Sequence, residues 1–341
     1  MYAIIFLSVF TLVSQTALGF EMWLMHDEEK AMVGPTTDVL AAWGGNDRSV
    51  HLYDMTTSSI VRSFERPIVE GCDNGQSGKI TTVKFSSDFS KFIAAAPGWV
   101  GVFDTPTGQL LWEQVKKKLV YSCRVVPTAL DISPDGRTGV WGFGSQSFIF
   151  SMENGEILDT LDHSISLSAY ESPRGAFFSG DGAFIYIGFY TGIGSYSIHE
   201  RKYSVERTRY FGEIYHSHDR SMAIVNCGRQ SDPPYYDRIE TCVVGLNGHE
   251  IELVLRGRRF HSETNVVGYM FLPSDERVAT INPDYKASEV WDLDTNDDLA
   301  SFRYDSSERF MEFVGDSHFL VVQPGGVAGN KAVIRDLELG Q

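Results

Sequence analysis

The sequence predicts an all-β protein in which seven similar four-stranded units form a closed ring. Three observations carry this prediction. A well-formed reference unit runs from Leu130 to Leu161, its two halves recur along the chain, and the last copy stops one strand short at Gln341.

The reference unit contains four short apolar runs separated by polar turns. Its first strand ends in Ser133-Pro134-Asp135-Gly136, a turn in which proline fixes φ and glycine accepts a positive φ. Strands around Thr138 to Gly142 and Ser147 to Met152 follow. Glu153-Asn154-Gly155-Glu156 then predicts a type I′ hairpin from its Asn-Gly pair, and Ile157 to Leu161 is the fourth strand.

Both halves of the unit recur in step. The first half, a strand, a polar turn and a strand, begins at Val83, Leu130, Ala176, Ile214, Tyr269 and Met311, with a degenerate copy at Ala31. The second half also gives seven copies, and the last, AVIRDLELGQ, ends where its fourth strand should begin. Units of about 40 to 50 residues with four strands each are typical of a β-propeller.

The sequence therefore predicts a seven-bladed β-propeller over residues 20–341. The missing fourth strand of blade seven is expected from the segment 21–26, so that an N-terminal strand closes the ring and leaves no unpaired edge. The predicted blades span approximately 29–65, 79–115, 128–161, 174–210, 212–255, 266–304, and 309–341 together with 21–26.

The first nineteen residues predict a secretory signal peptide. An apolar run from Ala3 to Val13 precedes a polar patch, and the small residues Ala17 and Gly19 suit a cleavage site. The run is too short for a transmembrane helix. We therefore expect a secreted, extracellular protein, and the alternative is an intracellular protein that retains residues 1–19.

The ends of several predicted third strands carry a family feature. An aromatic-Asp pair occurs at Trp291-Asp292, Tyr53-Asp54 and Phe103-Asp104, with Arg335-Asp336 as a weaker form. On these residues the chain resembles the WD40 and YVTN-like propeller superfamily. Three blades lack the pair and the family's Gly-His dipeptide is absent, so the repeats are divergent. The resemblance implies that these aspartates are structural.

The charge balance excludes one class of partner. The chain has 45 acidic and 29 basic residues, a net charge of -16, and its field should repel nucleic acid phosphates and anionic membranes. We therefore expect no nucleic acid binding. We also expect no membrane span, because no stretch after the first nineteen residues approaches 18 apolar residues.

The four cysteines suit an oxidising compartment. Four cysteines allow three pairings, and spacing alone does not choose among them. The predicted topology places Cys227 and Cys242 on adjacent strands that flank one loop, and Cys72 and Cys123 in consecutive inter-blade loops. These two pairs are the disulfide candidates.

The predicted loops differ between the two ends of the ring. Turns after the first and third strands are short and define a short-turn face. The loops between strands two and three and between blades define a long-loop face, where binding groups are expected. Its longest members are Arg66 to Gly78, Lys116 to Pro127, Asp162 to Arg174, Gly228 to Arg238, Arg256 to Asn265 and Gln323 to Lys331.

Three sets of residues on this face are ligand-binding candidates. Tyr235 and Tyr236 follow a Pro-Pro pair, and packing over the neighbouring blade is their alternative role. A basic run supplies carboxylate- or phosphate-binding groups, with a solvated loop as the alternative reading; its arginines are Arg256, Arg258 and Arg259. Trp99, after Pro97-Gly98, is expected near the mouth of the central channel, where a ligand could stack on it.

The motifs favour a binding module. The sequence has no Walker A, G-x-S-x-G or H-E-x-x-H motif, and the segment His216-Ser217-His218 falls on a short turn. We expect no cofactor, no metal and a monomer that presents its long-loop face to a protein or small-molecule ligand. The competing hypothesis is a propeller enzyme resembling lactonases, isomerases or lyases, with its site at the mouth of the channel.

Overall fold

The structure is a computed structural model. It describes residues 21–24, 28–34, 38–68, 78–115, 129–163, 173–189, 192–206, 211–226, 241–247, 250–256, 268–282, 287–294, 298–303, 309–314, 317–324 and 330–337. The predicted signal peptide lies outside these residues.

Within the described ranges, twenty-eight strands form seven four-stranded antiparallel sheets, which are the predicted seven blades. In six sheets the strands pair in sequence order. These sheets are β2 (Lys30–Val33), β3 (Val39–Trp43), β4 (Ser49–Asp54) and β5 (Ser59–Glu65); β6 (Thr82–Phe85), β7 (Lys91–Ala96), β8 (Trp99–Asp104) and β9 (Leu110–Val115); β10 (Leu130–Ile132), β11 (Thr138–Phe143), β12 (Gln146–Ser151) and β13 (Ile157–Asp162); β14 (Gly175–Phe178), β15 (Phe184–Phe189), β16 (Gly192–Ser197) and β17 (Lys202–Glu206); β18 (Phe211–His216), β19 (Met222–Asn226), β20 (Thr241–Asn247) and β21 (Glu250–Arg256); and β22 (Gly268–Phe271), β23 (Arg277–Asn282), β24 (Ala287–Asp292) and β25 (Asp298–Arg303).

The remaining sheet combines the two ends of the chain. Its order is β1 (Glu21–Trp23), β28 (Asn330–Asp336), β27 (His318–Pro324) and β26 (Arg309–Phe313). Met22 lies opposite Ala332, and the Leu24 N–H donates to the Asn330 carbonyl at 2.8 Å. Met22 and Leu24 are both buried.

Burial follows position within a blade. The second and third strands are almost wholly buried, as in β7 and β8, because each blade packs between two others. The fourth strands β5 and β13 are mostly exposed or partly buried, with one buried residue each, Phe64 and Leu161, because they form the outer edge of the blade. The apolar contacts between neighbouring blades form the core, and edge-to-face rings such as Phe64 on Phe92, 4.7 Å apart, fill it.

A Ser-x-Asp network stabilises the turn after the first strand. The Ser133 hydroxyl donates to Asp135 at 2.6 Å, and the Thr138 N–H donates to Ser133 Oγ at 2.9 Å. The same serine-to-aspartate bond recurs at Ser86 and Asp88, at Ser179 and Asp181, and at Ser217 and Asp219. The bond from Ser86 is the main reason that the pKa of Asp88 falls to about 2.

The turn after the third strand differs from the predicted hairpin. Gly155 has a φ of 72°, but Asn154 has no positive φ, so the predicted type I′ turn is wrong. The Gly155 N–H instead donates to the Ser151 carbonyl at 2.9 Å, and the turn spans four residues with glycine last. Asp54 caps its own turn by accepting from the N–H groups of Thr56 and Thr57, both at 2.8 Å, which is the structural role that the aromatic-Asp pair implies.

Candidate functional site

The first strands of the blades surround the ring axis. β10 lies against β6 and β14, β14 lies against β18, β18 lies against β22, and β2 lies against β26. In the described sheets each of these strands is an edge strand, so its inner backbone edge has no strand partner. One position, two residues before the turn, is equivalent in all seven strands by its backbone register and its turn hydrogen bonds. We call it the axial column, and its members are Met32, Lys84, Asp131, Phe177, Tyr215, Met270 and Glu312.

Two carboxylates of the axial column make the same contact with the next blade. Asp131 Oδ2 accepts from the Phe178 N–H at 2.9 Å, across the seam between blades three and four. Glu312 Oε1 accepts from the Val33 N–H across the seam between blades seven and one. Phe178 and Val33 occupy equivalent positions on their own first strands, so an acceptor on one blade satisfies an inner-edge donor of the next.

Arg220 adds a charged bond that crosses two seams. Its Nη1 lies 2.7 Å from Asp131 Oδ2 and also donates to the carbonyls of Ile132, at 3.3 Å, and Phe178, at 3.2 Å. The Asp131 side chain is only 4% exposed. Three blades are therefore joined at the axis through a single ion pair with additional hydrogen bonds.

Arg220 lies at a turn position with a positive φ, a backbone conformation that favours glycine. Gly136 and Gly182, with φ of 70° and 72°, occupy the same turn position in their blades. Three blades put other residues there, and each makes a specific contact. Arg220, with φ of 61°, reaches Asp131. Phe89 stacks on Phe85 at 4.4 Å, and the Asp275 carboxylate accepts from the N–H groups of His218, at 2.6 Å, and Asp219, at 2.9 Å.

The channel groups act on one another electrostatically. Burial raises the pKa of Glu312 to about 7, although the Val33 N–H and the charge of Lys84 oppose the rise. Burial lowers the pKa of His216, at the end of β18, to about 4, with Asp131 opposing and Lys84 contributing to the shift. Lys84 is itself exposed, and its charge acts on both of these groups, which belong to blades seven and five.

A second polar cluster lies in the first blade. His51 Nε2 is 2.6 Å from Asp47 Oδ2, and His51 Nδ1 is 2.8 Å from Ser63 Oγ. The Tyr53 hydroxyl donates to Glu28 at 2.6 Å, and Glu28 Oε1 lies 4.0 Å from His51 Nε2. Glu28, His51 and Tyr53 are buried. The cluster ties the segment before the blade to its third and fourth strands.

Further polar bonds join blades three and four. His163 joins the Ser147 hydroxyl and the Tyr203 hydroxyl, both at 2.9 Å, and burial lowers the pKa of His163 to about 4. The imidazole is therefore neutral at physiological pH and serves as a donor and an acceptor between two blades.

In the described residues no group of three or more His, Cys, Asp or Glu side chains is arranged to hold a metal ion.

The predicted site residues have different outcomes. Trp99 is the first residue of β8 and is fully buried. Its indole N–H donates to Glu113 at 2.7 Å, and the Arg66 guanidinium lies 5.6 Å from its ring centroid. Stacking of a ligand on Trp99 stays a prediction that requires this packing to open. Arg256 ends β21, and its backbone lies opposite Cys242. The remaining candidates, Tyr235, Tyr236, Arg258, Arg259, Cys72, Cys123 and Cys227, lie outside the described residues, as does the side chain of Cys242.

The axial column is absent from the sequence prediction. Its signal is visible once the repeats are aligned on the residue that begins the turn after the first strand, which is serine in four of the seven blades. Six positions of the column are then filled by apolar, aromatic or acidic residues, and Lys84 stands alone as a cation. Arg220 carries a similar signal, because it replaces a turn glycine.

Comparison with known proteins agrees with this architecture. The structure is similar to the crystal structure of the β-propeller domain of Cps50 (Swd1) from Myceliophteria thermophila, with a TM-score of 0.69 and 12% sequence identity over 93% of this chain and 99% of that chain. No family model matches the sequence, and no curated protein matches it. The described residues also contain no helix with the length and apolarity to cross a membrane. The chain is therefore a seven-bladed β-propeller.

Proposed function

We propose that this protein is a secreted binding or scaffold module that presents its long-loop face to a protein or small-molecule ligand. The observation that carries the proposal is the bonding of polar side chains between blades. Asp131 and Arg220 join three blades, and His163 joins two. Polar groups used in this way make a rigid support, and a rigid support for variable loops is the common architecture of binding proteins.

The competing proposal is an enzyme with its site at the channel mouth. The charged groups of the axial column, Lys84, Asp131 and Glu312, are the observation in its favour. Both carboxylates, however, accept hydrogen bonds from backbone amides of the next blade. This bonding supports a structural role, so the binding module is the better account.

The binding face is tested by photo-crosslinking in the exported protein. A benzoylphenylalanine at Tyr236 is expected to give a discrete adduct with a partner, because it reports on the long-loop face. The same probe at Glu153, an exposed turn residue on the short-turn face, is the matched control. Adducts at Glu153 but not at Tyr236, or no adduct at either, would count against the proposal.

We also propose that the protein is exported and that its N-terminal strand closes the ring. β1 begins at Glu21, two residues after the proposed cleavage point, and its pairing with β28 supports a closing role for the N-terminal strand. A chain that starts at Asp27 is therefore expected to unfold at a lower temperature than one that starts at Phe20.

The intact mass of the protein made with its own leader checks export directly. We expect a mature chain that begins at Phe20, found outside the cell. Alkylation without reductant should leave that mass unchanged, because we propose the disulfides Cys72 with Cys123 and Cys227 with Cys242. A cell-retained chain that begins at Met1 would refute export, and four alkylated thiols would refute the disulfides.

A further inference from the structure

The seam between blades two and three differs chemically from the two seams that carry an acceptor. Lys84 occupies the axial column where Asp131 and Glu312 stand in their blades. A lysine ammonium has only donors, so it cannot accept from the inner-edge amide of the next blade. The equivalent amide at this seam is that of Ile132.

The hydrogen-bond pattern of β10 directs the Ile132 N–H toward the channel. The Ser133 N–H donates to the Thr138 carbonyl, and the Gly142 N–H donates to the Ala129 carbonyl, so the odd-numbered residues of this strand pair with β11. Ile132 therefore presents its N–H at the unpaired edge, as Phe178 does in the next blade. Within the described part of the chain no side chain accepts from it.

One cation, Lys84, belongs to this seam. Lys84 is exposed and, among the described residues, forms no ion pair or hydrogen bond, although its charge acts on Glu312 and His216. Blades two and three touch at this end, because the Ser87 hydroxyl donates to the Pro134 carbonyl at 3.1 Å. On the other side, Arg220 Nη1 donates to the Ile132 carbonyl at 3.3 Å, although Asp131 neutralises its charge.

We infer that this seam binds a small oxyanion, whose oxygen accepts from the Ile132 N–H and pairs with the Lys84 ammonium. The anion takes the place that the Asp131 and Glu312 carboxylates occupy at their own seams. A carboxylate and a sulfate or phosphate group share the required chemistry, an anionic oxygen that accepts a charge-assisted bond. The site does not depend on the proposed long-loop binding function.

The test follows the Ile132 amide directly by NMR in the full mature chain labelled with 15N-isoleucine. An Ile132→Val variant identifies the resonance. Sodium acetate and sodium sulfate are titrated separately, against sodium chloride at equal ionic strength. We expect a saturable downfield shift of the Ile132 amide with acetate, sulfate or both. Saturation with acetate alone assigns a carboxylate ligand, and saturation with sulfate alone assigns a sulfate or phosphate group.

Two variants of Lys84 separate the site from general charge effects. Lys84→Met is expected to weaken binding by about tenfold or more, because the charge-assisted bond is lost. Lys84→Glu should move the Ile132 amide downfield without added anion, as a built-in acceptor, and abolish the response. Lys202→Met, which removes an exposed lysine on β17, is the control and should titrate as wild type. An Ile132 amide that responds to neither anion, or that responds equally in wild type and Lys84→Met, overturns the inference.

Discussion

Asp131→Ala is expected to lower the free energy of unfolding by about 3–5 kcal/mol, the cost typical of breaking a buried ion pair from one side. The Asp131 side chain is 4% exposed and accepts from both Arg220 and the Phe178 N–H. Its removal leaves a largely buried guanidinium without its counter-charge and an inner-edge amide without an acceptor. Both losses fall at the point where three blades meet.

Urea unfolding followed by tryptophan fluorescence measures this loss. The double variant Asp131→Ala with Arg220→Met should recover part of it, because the unpaired charge is then also gone. Glu153→Ala, which changes an exposed turn residue, should stay within about 0.5 kcal/mol of wild type. A loss below about 1 kcal/mol for Asp131→Ala would show that the ion pair does not hold the blades together.

Glu312→Gln is expected to stabilise the protein at pH 8 by about 2 kcal/mol and to leave its stability unchanged at pH 4.5. Burial raises the pKa of Glu312 to about 7 in the folded state, above its ordinary value of 4.5. At a pH between 4.5 and about 7, Glu312 is protonated in the folded state and ionised in the unfolded state. The stability of wild type therefore falls as the pH rises through this range. A shift of this size corresponds to about 3 kcal/mol, and the partial solvent access of Glu312 reduces it.

The difference between the two proteins isolates this group from other titrations. His163 and His216, whose pKa values fall to about 4, act in the opposite direction: they remove stability as pH falls from about 6.5 toward 4. Their contribution is the same in wild type and Glu312→Gln and cancels in the difference. Glutamine retains a carbonyl acceptor for the Val33 N–H. A difference that does not change between pH 4.5 and pH 8 would contradict the raised pKa.

The sequence predicted the number and order of the blades because that information is local. The sequence of each blade alternates apolar runs and short turns. Turn signals such as Ser133-Pro134-Asp135-Gly136 specify a hairpin from neighbouring residues alone. The hairpin at Asn154 was wrong in detail, because the register shift between Ile149 and Phe150 accommodates a longer turn than the Asn-Gly pair indicates.

The axial contacts were not predicted because they depend on the angle between blades. Asp131 and the Phe178 amide are 47 residues apart, and Glu312 and the Val33 amide are 279 residues apart. The sequence around each carboxylate does not show which backbone amide of another blade will donate to it. Trp99 was expected near the mouth of the channel from its place after Pro97-Gly98. The structure buries it, and Glu113 on the next strand accepts from its indole N–H.

The exposed Lys84 has a kinetic consequence in a protein of net charge -16. An anion approaching from bulk solution first crosses the repulsive field of the acidic body and feels the lysine only within about one Debye length, roughly 8 Å at physiological ionic strength. Added salt screens the long-range repulsion more than the contact at the axis. Encounter of a small anion with the channel should therefore become faster as ionic strength rises, whereas oppositely charged partners usually meet more slowly. The acidic exterior should therefore slow the approach of small anions to Lys84 most strongly at low ionic strength.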